Sequence, residues 1–124
     1  MLFYHSKEEV RYTAAVQLPT KQEIGSMVSK SQDYIQMGFG ISFVHPKDNF
    51  NKRLGRSIAG QRVNNYLFSL KEICIQSGRT SYAMSAPAKH HVLGDVEIVV
   101  TFSTVAQSQN VHLESVRLSH LEVL

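Results

Sequence analysis

Residues 95–105 place the strongest constraint on the fold of this chain. Val96, Ile98, Val100 and Phe102 recur at every second position, which sets four apolar side chains on one side of an extended strand. Val99 and Val105 lie on the other side, so both faces are expected to be partly covered. A polar turn follows at residues 106–110, then a second long strand at 111–124. Together they predict an antiparallel hairpin. Residues 9–18 show the same period. Val10, Tyr12, Ala14, Val16 and Leu18 share one face; Glu9, Arg11, Thr13 and Gln17 share the other. That pattern predicts a strand buried on one side, ended by Pro19.

Residues 38–44 read as another strand, and Gly38 and Gly40 point to a bulge or a close approach by a second backbone or a ligand. Residues 20–37 are polar and mixed, a long loop with one helical turn near 22–28. A helix is predicted after residue 48. Asp48 or Asn49 suits its N-cap, and Phe50, Leu54 and Ile58 form an apolar stripe four residues apart. Residues 63–70 extend this helix to about residue 70, and 72–76 form a short strand with Cys74 as a small core side chain. Residues 77–94, rich in Ser, Gly and Ala, read as a flexible loop carrying Arg79, Tyr82, Lys89, His90 and His91. The expected architecture is α+β: one domain over residues 1–124, an antiparallel β-sheet with one main α-helix packed on it.

Several chemistries are excluded. No apolar run approaches the roughly 20 residues needed to span a bilayer, and the N-terminus lacks the basic and apolar regions of a secretory signal. Cys74 is the single cysteine, which rules out an intramolecular disulfide and fits a cytoplasmic location. The phosphate-loop, dinucleotide and nucleophile-elbow signatures are missing. His90 and His91 would face opposite sides of a strand, and His112 and His120 lie apart, so no metal site is expected. No acid–base carboxylate pair stands out. No catalytic residue and no cofactor are assigned.

Charge, by contrast, is concentrated. The chain carries +3 overall, yet residues 45–91 hold eight Lys and Arg against two acids, a net +6, and the remainder holds five against eight, a net −3. Such a field draws anions to one region. Lys47, Lys52, Arg53 and Arg56 cluster at the predicted start of the helix, where backbone N–H groups also favour an anion. Arg56 is the strongest single residue, because its planar fork meets phosphate bidentately and it lies one turn after Lys52. Arg79, Tyr82 and His90 complete the expected ligand-binding set, with Tyr82 placed to stack on a base.

The stretch Pro46-Lys47-Asp48, Phe50, Lys52, Gly55-Arg56, Ile58-Ala59 and Arg62 resembles a signature of small bacteriophage anti-defence proteins, the sponges of the first Thoeris anti-defence type. The resemblance covers about 17 residues of the chain and carries over one position, Arg56 in the Gly-Arg element. It implies a dimer or larger homo-oligomer with pockets near subunit contacts. It also implies sequestration, without hydrolysis, of a cyclic ADP-ribose-type signal or a cyclic oligonucleotide. The expected function is therefore a non-catalytic sponge for a small anionic nucleotide. A nucleic-acid-binding regulator using residues 52–62, or an inhibitor of a host enzyme, is the alternative.

Overall fold

Period-two patterning wins over most of the chain, including segments where sequence alone suggested helix or loop. The computed structural model describes residues 1–6, 11–44, 51–90 and 94–120. Among these the elements are β1 (Leu2–His5), β2 (Tyr12–Gln17), α1 (Lys21–Ser29), β3 (Tyr34–Phe43), α2 (Lys52–Gln61), β4 (Asn64–Gln76), β5 (Arg79–His90), β6 (Gly94–Val105) and β7 (Val111–His120). The strands keep their chain order in the sheet, and the registers described are all antiparallel. The described residues are thus mostly antiparallel sheet with two helices, where one main helix was expected. Two compact units can be distinguished, residues 1–18 with 37–66 and residues 19–36 with 67–124.

In the first unit β1, β2 and β3 form a meander in which Leu2 pairs with Val16, His5 with Thr13, and Ala15 with Gly40. Tyr12, Ala14 and Val16 face one way and are buried, as patterned. Thr13 and Ala15 on the opposite face are buried too, which overturns the expectation of a one-sided strand. The cause is α2. Its buried residues are Gly55 and Ala59, one helical turn apart. A Cβ on Gly55 would strike the Thr13 hydroxyl, and a Cβ on Gly40 would strike the Ala59 carbonyl and come within 2.8 Å of the 62–63 peptide. Small side chains on both surfaces let the helix lie almost directly on the strands. The close backbone approach foreseen at Gly40 is therefore to α2.

This packing corrects the predicted helix stripe. Leu54 is 57% exposed and Ile58 only half-buried; Phe50, Asp48 and Asn49 lie outside the described residues. The N-cap is Asn51, whose side-chain oxygen accepts from the Leu54 N–H at 3.1 Å. The helix also ends earlier than expected. Arg62 closes it, with its backbone N–H on the carbonyls of the last turn and its guanidinium donating to the Ile41 carbonyl at 3.1 Å. Residues 64–70 then run as strand, with Phe68 fully buried between the exposed Leu67 and Ser69.

The second unit holds α1 and the C-terminal strands. Thr20 and Glu23 cap α1 reciprocally, each side-chain oxygen accepting from the other residue's backbone N–H at 3.1 Å. Ile24 and Met27 are its buried residues, so residues 21–29 form a full amphipathic helix where one turn in a loop was expected. The Lys21 ammonium donates to the carbonyls of Val105 (3.0 Å), Ala106 (3.3 Å) and Ser108 (2.8 Å), which fastens α1 to the β6–β7 turn. Val96, Ile98, Val100 and Phe102 are buried together with Tyr82, Met84, Ala86 and Val116. The β6–β7 hairpin forms as the alternation predicts, up to His120; residues 121–124 lie outside the described set.

Residues 79–90 form a long strand, and the flexible loop expected there is overturned. The signal was Ser77-Gly78, whose positive φ values of 45° and 79° turn β4 back on β5 in the manner of a two-residue hairpin. Cys74 is exposed, contrary to the core position expected, because β4 leaves Ile73 and Ile75 exposed on its other face as well.

Candidate functional site

The cations of α2 lie outside its buried stripe of Gly55 and Ala59, with Lys52 and Arg56 on the flank beside Gly55. Lys52, Arg53 and Arg56 are all exposed. Lys52 and Arg56 stand four residues apart, one above the other on the same side, and the first turn of α2 contains no acid. Among the described residues no ion pair engages Lys52, Arg53 or Arg56. Three cations on one short helix, with no carboxylate paired to them among the described residues, make a surface that gains from an external anion.

His5, which no motif singled out, is brought next to the seat of α2 by the sheet register. It pairs with Thr13, and its Nδ1 lies 2.9 Å from the Thr13 hydroxyl oxygen. Thr13 in turn supports Gly55, the residue between Lys52 and Arg56. Partial burial pushes the His5 imidazole below its ordinary pKa, and the charges of Lys52 and Arg56 push it the same way. The ring therefore lies within the field of both side chains. The sequence held no sign of this, since His5 and Gly55 are far apart in the chain and both reach Thr13 only through β1–β2 pairing and the seat of the helix.

The remaining predicted site residues have other surroundings. Arg79 opens β5 in the second unit, where its guanidinium lies 3.7 Å from Glu114, and Ser81 donates to the same carboxylate at 3.1 Å. Tyr82 is 7% exposed and stacks on Phe102 with ring centroids 5.5 Å apart and planes at 25°. Its ring face is committed to the core of that unit, so the expected stacking on a ligand base is corrected. Phe43, in the first unit, is half-buried with its ring 6.2 Å from that of Tyr12. His90 ends β5, and its side chain lies outside the described set. Lys47 also lies outside the described residues.

Among the described residues no group of three or more His, Cys, Asp or Glu is placed to hold a metal. Among the described residues no helix is long and apolar enough to cross a membrane. No protein-family model, curated protein or solved structure matches the chain.

Proposed function

We propose that this protein binds and sequesters a small anionic ligand of the cyclic-nucleotide class without transforming it, using the exposed basic side of α2. The observation that supports this is the exposed set of Lys52, Arg53 and Arg56 on α2, with no ion pair on any of them among the described residues. The resemblance of residues 46–62 to Thoeris anti-defence sponges supplies the ligand class, a cyclic ADP-ribose-type molecule or a cyclic oligonucleotide. Arg56 meets a phosphate oxygen pair with its fork and Lys52 adds a point charge one turn earlier. Thr13 and Gly55 fix the platform on which both are mounted. In this role the protein is a homo-oligomer in the cytoplasm of the cell whose signal it removes.

Equilibrium dialysis against radiolabelled cyclic ADP-ribose isomers and cyclic oligonucleotides tests the proposal. Stoichiometric retention, followed by recovery of the intact ligand on denaturation, is expected. Chemical conversion of the ligand would make the protein an enzyme. Affinity for duplex DNA that falls steeply between about 50 and 200 mM salt would make it a nucleic-acid binder instead.

A further inference from the structure

We propose that two copies of this protein pair antiparallel through residues 72–76 of β4, about a two-fold axis at Cys74. The pairing goes beyond the sequestration reading, which names a homo-oligomer but no interface, and it uses none of the cations of α2. Its basis is an open strand edge. The Leu70 N–H donates to the Asp33 carbonyl at 2.6 Å, and Gly40 lies against the 62–63 peptide. β3 therefore runs along its neighbour β4 from Leu70 back towards Asn64. Before Asp33 the chain turns into α1, with the Gln32 N–H on the Met27 carbonyl. β4 continues to Gln76 with β5 on one side and, among the described residues, no strand on the other. Residues 71–76 are all exposed, Ile75 to 75%. An uncovered edge carrying aliphatic side chains is a template for a further strand.

The edge is complementary to itself. A two-fold axis normal to the sheet keeps every side chain on its own face and so pairs residues of equal parity. Centred on Cys74, it sets Ile73 opposite Ile75 of the second copy, Glu72 opposite Gln76, and Cys74 opposite its own counterpart. Centred on Ile73, it would draw the bulge at Lys71 into the ladder. Centred on Ile75, it would set Ile73 opposite Ser77, which lies in the turn at positive φ. In the Cys74 register the exposed isoleucines of both copies form one strip on the face that carries Tyr82. The other face is complementary in charge. Arg79 pairs with Gln76, so Glu72 of one copy stands two strands, about 10 Å, from Arg79 of the other, a span that the two side chains bridge. Among the described residues Glu72 has no ion pair, and Arg79 only the 3.7 Å approach to Glu114. No like charges face each other.

Sedimentation velocity of the whole protein across a concentration series tests this, together with cross-linking by a short bis-maleimide that can join copies only at Cys74, the single cysteine. The parent is expected to form a concentration-dependent dimer that the reagent traps. Ile75→Lys keeps the thiol and, at so exposed a position, the fold; it should lose both the dimer and the cross-link. Glu72→Arg should weaken the dimer, and adding Arg79→Glu should restore it. Loss without that rescue would overturn the register. A parent that stays monomeric, or association and cross-linking equal in Ile75→Lys, would overturn the pairing. Ligand retention measured on the same samples judges the sequestration reading separately. A monomer that retains ligand overturns only the pairing, and a dimer that retains none overturns only sequestration.

Discussion

Gly55 of α2 lies directly against Thr13 of β2, where a single methyl group on the glycine would overlap the threonine hydroxyl. That contact sets the height of the helix above the sheet and so the place of the cations beside it. Gly40 does the same from the strand side, facing the Ala59 carbonyl and the 62–63 peptide. Substituting either residue tests how tightly this seat is specified. Gly55→Ala gains about 1 kcal/mol of helix propensity and forces a side chain that can rotate. Gly40→Ala forces a peptide that cannot. Denaturant unfolding is expected to show Gly40→Ala destabilised by about 1–3 kcal/mol, the usual cost of overpacking, and Gly55→Ala by less.

Replacing Lys52 or Arg56 by Ala should leave stability within about 0.5 kcal/mol of the parent, since both are exposed and neither has an ion-pair partner among the described residues. Thermal midpoints and ligand retention measured on the same samples separate the two effects. Loss of retention with an unchanged midpoint is expected.

Tyr82→Ala should behave in the opposite way. Its ring is buried against Phe102, and truncating a buried aromatic costs about 3–5 kcal/mol. Tyr82→Phe keeps the stack and should cost little. If Tyr82→Ala folded as stably as the parent yet lost ligand, the ring would belong to the site after all.

His5 makes stability depend on pH. Its folded-state pKa is depressed, so the unfolded chain binds its proton first as pH falls. The contribution of the neutral ring is fully present above the unfolded histidine value, about 6.5, and is lost as pH falls through the lower folded value. Urea midpoints taken between about pH 8 and 5 should decline through this window in the parent and less so in His5→Gln.

Glu97 titrates further into acid. The Lys71 ammonium, 2.6 Å away, and a hydrogen bond from Ser85 hold its carboxyl below the usual range. Its contribution is present above the ordinary carboxylate value and lost as pH falls through the depressed one. Lys71 is nearly half-exposed, so the pair contributes no more than about 1 kcal/mol. Glu97→Gln should therefore flatten the acid limb below about pH 5 with little change at neutral pH.

The strands of this protein were legible wherever alternation was strong. Val96, Ile98, Val100 and Phe102 are all buried on the face their spacing assigned, and the turn after Val105 closes the hairpin they imply. The helices were harder for two reasons. In α2 the buried stripe is Gly55 and Ala59, residues with too little apolar surface to register as a face, and Leu54 points outward. In α1 the sign was local, Thr20 and Glu23 three residues apart, and it was masked by polar neighbours. The Ser77-Gly78 turn was likewise readable from two residues. The cations at 52, 53 and 56 were visible as charge on a helix. The place of His5 at the seat of α2 was not, because it is made by β1–β2 register and by a glycine seated on a threonine.

If the cations of α2 hold a small cyclic nucleotide, as proposed, its binding must stabilise the fold and must depend on Arg56. The most direct measurement is the thermal midpoint of the parent and of Arg56→Ala against a panel of cyclic dinucleotides, cyclic trinucleotides and cyclic ADP-ribose isomers. A ligand present at 100 times its dissociation constant stabilises by about 2.7 kcal/mol. The predicted result is a clear rise for one ligand with the parent and none with Arg56→Ala. No rise with any ligand, or an equal rise in both proteins, would contradict it.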